Sequence, residues 1–503
     1  MKCRSAKVWV LYLVALANVN IDADAAPNNS SGDAQEVPAA TTPAAKPWDF
    51  VHPAGYDYCE APFPVPSEYK PVPKADLKFV QMIFRHGDRT AITMMPKEEH
   101  EWNVCNHNLD TNIYSEANEH HHLPRNYGVS LQQRINMPSG PRSFAHAMYK
   151  GNCVPGQLTD KGKEMQVRLG KSIRSIYVDN LKFLAPNYQT GSIHLRSTHV
   201  WRTKNSAQSL ISGLYPAGHW PPNTYLPLNT NPEYIETMYP NLPVCPPIRK
   251  LIGKLYNETV WRKFTKSQQP FEKRLRQFTG TEESHLYPEI KSWHHWLDIM
   301  QTRKCHKKAL PCKANPKTGK RDLAEKDGGM LCATPEDAEK AVINSSYNIF
   351  HMKRDGEHAE AYLRLAAGSF FNDLMTELES VVSSLTTSPG NSTAPAGQHC
   401  RLRSRGHKFS MYSAHDDTVS SVLGMLKADD KNMAWPPYSS NMLIELWRKQ
   451  SGDFVVRAIY NGQVLTLKPG NQWCDLNGCD VNKYLKHINK FVPEDLEKEC
   501  GAL

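Results

Sequence analysis

The sequence predicts an α/β protein whose sheet is assembled from both ends of the chain. Three observations carry that expectation. Leu77 to Phe84 is a nearly continuous apolar run, the pattern of a strand covered on both faces. The stretch "SIHLRSTHVWRTKNSAQSLISGLYP" reads strand, loop, helix, and so does "HKFSMYSAHDDTVSSVLGML". These two units stand on either side of a long stretch of different texture, so one sheet must draw on both.

The chain has 503 residues, enough for one large domain with an insertion or for two domains. Hydrophobic content of 40% and charge of 22% are globular values. The formal charge is +9. Residues 1–25 hold Lys2, Arg4 and Lys7 against Asp22 and Asp24, so +8 remains without them (9 − 1). That balance suits small anionic substrates or an anionic surface. No concentrated Lys/Arg helix or aromatic RNA-binding pattern accompanies it, so nucleic acid is not an expected partner.

In chain order, a basic start precedes the apolar run Val8 to Ala17, too short to span a bilayer, and Ala23-Asp24-Ala25 fits a cleavage site. Residues 1–25 read as a signal peptide. The expected destination is secretion, with lysosome or vacuole as the alternative. No later segment looks like a membrane span. Residues 26–48, rich in Ala, Pro, Ser and Thr, read as a flexible linker. Sequons stand at Asn28, Asn29, Asn257, Asn344 and Asn391, and behind a signal peptide they predict glycosylation. There are 12 cysteines. Loss of Cys3 leaves an odd number, hence one thiol free or paired between chains.

The α/β domain is expected over 49–215 and 391–503, with a mainly helical cap over 216–390. Thr159 is the expected N-cap of a helix whose Met165, Leu169, Ile173 and Tyr177 recur at four-residue steps and form one buried face. "AEAYLRLAAGSFFNDLMTELESVV" is assigned to the cap. His120 to His122 lie in a polar stretch without further ligand spacing and read as a solvated loop, not a metal site. In the basic loop "TRKCHKKALPCKANPKTGKR", Cys305 and Cys312 are candidates to tie the loop.

Polar residues gather where the predicted strands end: Arg85, His86 and Arg89; Arg202; His415 and Asp416. Open α/β sheets place ligands there. Singly, each group also fits a salt bridge or a helix cap. Together they supply three guanidiniums for phosphoryl oxygens, an imidazole to attack phosphorus, a second imidazole as donor, and a carboxylic acid for the leaving alkoxide.

"RHGDR", "RSTHVWR" and "SAHDDTV" strongly resemble the histidine acid phosphatase family, the larger-capped branch of the histidine phosphatases, from about Leu77 to Cys500. "GQLTDKGKEM", "YVDNLKFLAPNY" and "WPPYSSNMLIELW" are most like its lysophosphatidic acid phosphatases. The resemblance implies a phosphoglycerate-mutase-like three-layer α/β/α sandwich with an inserted, mainly helical cap. It implies His86 as nucleophile, Asp416 as general acid, and Arg85, Arg89, Arg202 and His415 as phosphate ligands. Arg196 would support its loop, and Asp417 would cap the following helix. It implies a phosphate monoester as substrate, inorganic phosphate as product, no cofactor and no metal. It also implies disulfides Cys474–Cys479 and Cys245–Cys500.

Bound phosphate and the neighbouring Asp417 would raise the Asp416 pKa. The family usually has proline where this chain has Ala91, which puts the rigidity of that loop in question. Phytate or a phosphosugar are the alternative substrates. A catalytically inactive binding protein is the reading from a different class, and it predicts a lost nucleophile or arginine. None is missing.

Overall fold

The computed structural model describes residues 46, 48–95, 100–106, 149–222, 224–281, 292–313, 332–386 and 407–501. Residues 1–25, most of the 26–48 linker, His120 to His122, Asn28, Asn29 and Asn391 lie outside them. Phe50–Leu503 forms one compact unit.

The central sheet contains β1 (Ala75–Arg85), β2 (Ile193–Ser197), β3 (Leu228–Thr230), β4 (Phe409–Ala414), β5 (Asn441–Lys449), β6 (Phe454–Tyr460), β7 (Gln463–Val464) and β8 (Cys479–Asp480). Its order is β8-β6-β5-β1-β4-β2-β3, with β7 beside β6. Pairs β1–β4, β4–β2 and β2–β3 are parallel, whereas β1–β5, β5–β6 and β6–β8 are antiparallel. The sheet thus joins a parallel and an antiparallel half at β1.

Alternation along β1 explains its unbroken apolar run. Val80, Met82 and Phe84 pack with Leu169 and Ile173 of α1 (Asp160–Arg174) and Leu210 and Leu214 of α2 (Trp201–Leu214). On the other face, Gln81 donates to the Leu374 carbonyl at 2.9 Å and to Glu377 at 2.8 Å, both on α7 (Ala359–Thr386). Helices cover both faces, so both registers of the strand are apolar. Thr159 caps α1 by accepting from the Gly162 amide at 3.1 Å. Met165, Leu169, Ile173 and Tyr177 are all buried.

Not every element within 216–390 stands off the sheet. Strand β3 extends the main sheet, and α7 lies on the sheet's face. An amphipathic count cannot tell a helix that covers a sheet from one that covers other helices. Between them run α3 (Pro247–Asn257), α4 (Thr259–Thr279), α5 (Trp293–Cys305) and α6 (Pro335–Phe350). Trp261 and Phe264 of α4 meet Tyr347 of α6 with ring centroids 6.0 and 4.6 Å apart, an aromatic core of their own.

Five disulfides join the described cysteines: Cys59–Cys305, Cys105–Cys153, Cys245–Cys500, Cys312–Cys332 and Cys474–Cys479. Two are the pairs the resemblance implies. Cys305 and Cys312 both tie the basic loop, each through a different partner: Cys312 bonds Cys332, 20 residues on. Cys305 ends α5, and its Cα lies 5.3 Å from that of Cys59, so it ties the insertion to the segment before β1. The odd cysteine after Cys3 is Cys400, outside the described residues. Asn344 is buried within α6, with its amide directed at Gln268 Oε1 (3.3 Å), and offers no attachment point for a glycan; Asn257, ending α3, is exposed. Among the described residues no helix is long and apolar enough to cross a membrane.

Candidate active site

Register brings the three sequence clusters together. Arg85 pairs with Ala414 across β1 and β4, and Ser197 pairs with Ser413 across β2 and β4. The segments following three neighbouring parallel strands therefore leave the sheet on one level. The tight turn after β1 requires glycine: a β-carbon on Gly87 would lie 2.2 Å from the Gly162 carbonyl oxygen, and one on Gly162 would lie 2.2 Å from that of Asp88. The first turn of α1 is pressed directly onto the His86 loop.

His86 is buried, and its Nδ1 lies 2.8 Å from the Gly87 carbonyl. A carbonyl can only accept, so the proton sits on Nδ1 and Nε2 keeps its lone pair. Burial, and then Arg202, Arg85 and Arg89, hold the imidazole pKa well below the usual histidine value. The ring is neutral at any pH near neutrality. The His415 ring lies 5.7 Å away, with its Nε2 3.0 Å from Thr198 Oγ1. Burial and Arg202 lower the His415 pKa as well.

The three guanidiniums differ in how they are held. Arg85 donates to the Pro436 carbonyl at 2.7 Å, to Tyr58 Oη at 3.2 Å and to Asp416 Oδ2 at 2.7 Å, with its guanidinium 4.4 Å from the Tyr438 ring centroid. Arg89 donates to Asp298 Oδ1 at 2.6 Å and to the Thr90 carbonyl at 2.9 Å. Arg202 makes no hydrogen bond or ion pair among the described residues, and its Nε is buried without a partner. Burial and then Arg89 pull its pKa down to about 10. Three guanidiniums thus face two carboxylates, and the excess charge sits on Arg202.

Asp416 opens α8 (Asp416–Leu426). Burial raises its pKa, but Arg85, Arg89 and His415 outweigh burial and bring it to about 2. In the ligand-free chain the shift runs opposite to the sequence expectation. Asp417 acts in the lowering direction through its backbone, since its amide donates to Asp416 Oδ1 at 2.9 Å, and its carboxylate is paired with Lys353 at 2.6 Å. Asp417 does not cap α8, since His415 occupies the N-cap position. Arg196 supports its neighbourhood as expected. It donates to Glu236 at 3.0 Å, Thr237 at 2.8 Å and Asp373 at 2.9 Å, fixing the segment that carries Tyr239 against the His415 ring, 5.7 Å between centroids.

Asp298, Tyr58 and Tyr438 were not legible in the sequence, because each reaches the site from a distant segment. Asp298 of α5 does two things. One oxygen holds Arg89, and the other accepts from the Ile92 and Thr93 amides at 2.7 and 2.9 Å. The loop containing Ala91 is pinned by these bonds, by Tyr149 Oη on the Ala91 carbonyl (2.9 Å), and by Gly156 N on the same oxygen (3.1 Å). Hydrogen bonds replace the ring constraint of the missing proline. The "WHHW" pattern around 293–296 was the only local signal that α5 is more than a surface helix.

The pattern of the histidine phosphatase superfamily (branch 2) matches residues 76–245 and 246–461. The chain belongs to that family, whose members include histidine acid phosphatases. It is 25% identical over 461 residues to counting factor 60 of Dictyostelium discoideum, covering 88% of this chain and 92% of that one. It is 24% identical over 440 residues to lysophosphatidic acid phosphatase type 6 of Bos taurus, covering 85% and 86%. The phytase structure from Citrobacter braakii aligns with a TM-score of 0.49 at 11% identity, over 85% of this chain and 99% of that one.

Proposed function

We propose that this protein is an acid phosphatase that hydrolyses phosphate monoesters through a phosphohistidine at His86. The observation that carries this is the unpaired Arg202 guanidinium beside a neutral imidazole whose Nε2 lone pair is available. A partly buried cation whose buried Nε has no partner costs stability and is explained by an anion that arrives.

The phosphoryl group binds Arg85, Arg89, Arg202 and His415. His86 Nε2 attacks phosphorus, the P–O ester bond breaks, and Asp416 gives its proton to the departing alkoxide. Asp416, now a carboxylate, takes a proton from water. That water's oxygen attacks phosphorus, the P–N bond breaks, and phosphate and neutral His86 return. The guanidiniums stabilise the charge on the transferring group. A ligand-free Asp416 near pKa 2 needs a way to hold its proton. A bound phosphate supplies one, because its charge opposes the arginines that depress Asp416. The acid is retained best at low pH, hence an acidic optimum.

For the leaving group, a lysophospholipid phosphate is the reading we favour over phytate or a phosphosugar. Ile92 and Trp201 are each 49% exposed next to the clamp. Gly156 lies between Ile92 and Arg202: a β-carbon there would be 3.0 Å from Ile92 Cγ1 and 3.5 Å from Arg202 Nη1. Apolar side chains at the rim suit an apolar leaving group better than a polyanion. Secretion, with cleavage near Ala25 and a glycan at Asn257, accords with five disulfides.

The test is acid-quench trapping with radiolabelled substrate. Label on His86 is expected; label on serine or aspartate overturns the mechanism. D416N should slow alkyl phosphates far more than p-nitrophenyl phosphate, whose phenolate leaves without a proton. Rates on lysophosphatidate, phytate and a phosphosugar then rank the substrates, and a preference for phytate refutes the apolar reading.

A further inference from the structure

The first turn of α8 presents a second carboxylate, and a buried lysine meets it. Lys353 lies in a π-helical turn, His351–Asp355, between α6 and α7. Such turns recur at functional sites. Its ammonium contacts Asp417 Oδ1 at 2.6 Å, the Asp417 carbonyl at 2.8 Å, Ser420 Oγ at 2.8 Å and Ser421 Oγ at 3.0 Å. Those contacts more than occupy the three donors of an ammonium. The side chain is 4% exposed. The backbones are equally close, since a β-carbon on Gly424 would lie 2.5 Å from the Lys353 carbonyl oxygen. Asp417 Oδ2 is buried and has no hydrogen-bond partner. Among the described residues, Lys353 is the one cation bonded to this carboxylate.

We propose that Lys353 is a positioning residue for Asp416: it cancels the Asp417 charge, pins the first turn of α8, and thereby sets the pH range over which Asp416 keeps its proton. This rests on Asp416 being the general acid. The groups facing Asp416 are Arg85 and Arg89 from β1 and its loop, Arg202 from α2, His294 from α5, and His415 beside it. Asp417 is faced by Lys353, by Tyr362 of α7 and by His294. Of all these groups, Asp417 is the carboxylate adjacent to Asp416 on the same helical turn. Uncompensated, it opposes the arginines and makes Asp416 harder to ionise. Compensated by Lys353, it leaves them unopposed.

The roles of the two partners predict opposite effects. K353M leaves a bare carboxylate next to Asp416, which should move the alkaline limb of kcat on glycerol phosphate upward by about half a unit to one unit. D417N keeps the shape and leaves the lysine charge unmatched, which should move the limb downward by a similar amount. The K353M/D417N double variant should return near the wild-type position. Competitive inhibition by phosphate should stay unchanged throughout, since the arginine clamp is untouched. If K353M does not fold, D417N alone decides: a limb that stays put or rises overturns the proposal. A K353M limb that does not move, or two single variants that shift in the same direction, also overturns it, because a merely structural lysine gives no sign reversal. The acid assignment is tested separately. If D416N loses glycerol phosphate and p-nitrophenyl phosphate equally, that assignment fails. If D416N is selective and K353M leaves the limb in place, only the role of Lys353 fails.

Discussion

Two buried charge clusters flank β1, one in each half of the sheet, and they are built to different rules. In the antiparallel half, Glu445 of β5 is fully buried and wholly satisfied. Tyr69 donates to it at 2.6 Å, Tyr177 donates to the same oxygen, Trp447 Nε1 donates at 2.9 Å, and Arg457 Nε at 2.8 Å. Arg457 also meets Glu445 through Nη2 at 2.7 Å and donates to Tyr69 Oη and the Lys70 carbonyl. One cation meets one anion, and both carboxylate oxygens are hydrogen-bonded. In the parallel half, Arg85 and Arg89 have carboxylate partners and Arg202 has none among the described residues. A cluster that only has to hold the fold balances its charge internally, because an uncompensated buried charge is costly. The cluster at the strand ends carries the imbalance, and an external anion would complete it.

The comparison breaks or sharpens under substitution. The largest effect is expected for H86A. Turnover should fall by about 10⁴-fold or more, as when a nucleophile is removed. The melting temperature should hold, because among the described residues the one hydrogen bond lost from that side chain is that to its neighbour's carbonyl. Next is R457A, which strands Glu445 in the antiparallel cluster. It should cost about 3–5 kcal/mol in denaturant unfolding, with kcat of the folded fraction unaltered. An R457A protein of normal stability would show that the cluster is not the brace described. R202A is its counterpart: about 100-fold lower turnover and weakened phosphate inhibition, with no loss of stability. Lysine at 202 should restore only part, because a point charge does not reproduce a planar fork. A destabilised R202A that still binds phosphate would place Arg202 among the braces.

Acid unfolding tests the balance at Asp416. Its folded pKa of about 2 lies below the ordinary 3.8. The stabilisation this implies is fully present above the unfolded value and is lost as pH falls from about 4 towards 2. It amounts to about 2 kcal/mol. D416N should lack that part of the pH dependence. The smallest effect belongs to D298N, which weakens the hold on Arg89 and on the Ile92 and Thr93 amides. About tenfold lower kcat/KM is expected, with phosphate inhibition reduced in parallel.

What the sequence determined by itself was whatever is local in the chain. The apolar run into Arg85-His86, the Thr159 cap, the four-residue step from Met165 to Tyr177, and the motif residues at the ends of β1, β2 and β4 are short-range patterns. They reflect the periods of strand and helix, and the family resemblance rests on the same segments. What only the tertiary structure decided is non-local. Asp298 reaches Arg89 across 209 residues, and Lys353 reaches Asp417 across 64. Cys59 joins Cys305 at a separation of 246. The direction of the Asp416 pKa also belongs here. Its sequence neighbour Asp417 suggests a rise, whereas the charges that win are the Arg85 and Arg89 guanidiniums of another strand and its loop, with His415 beside it. Electrostatic energy depends on distance through space and on burial, neither of which is encoded by adjacency along the chain.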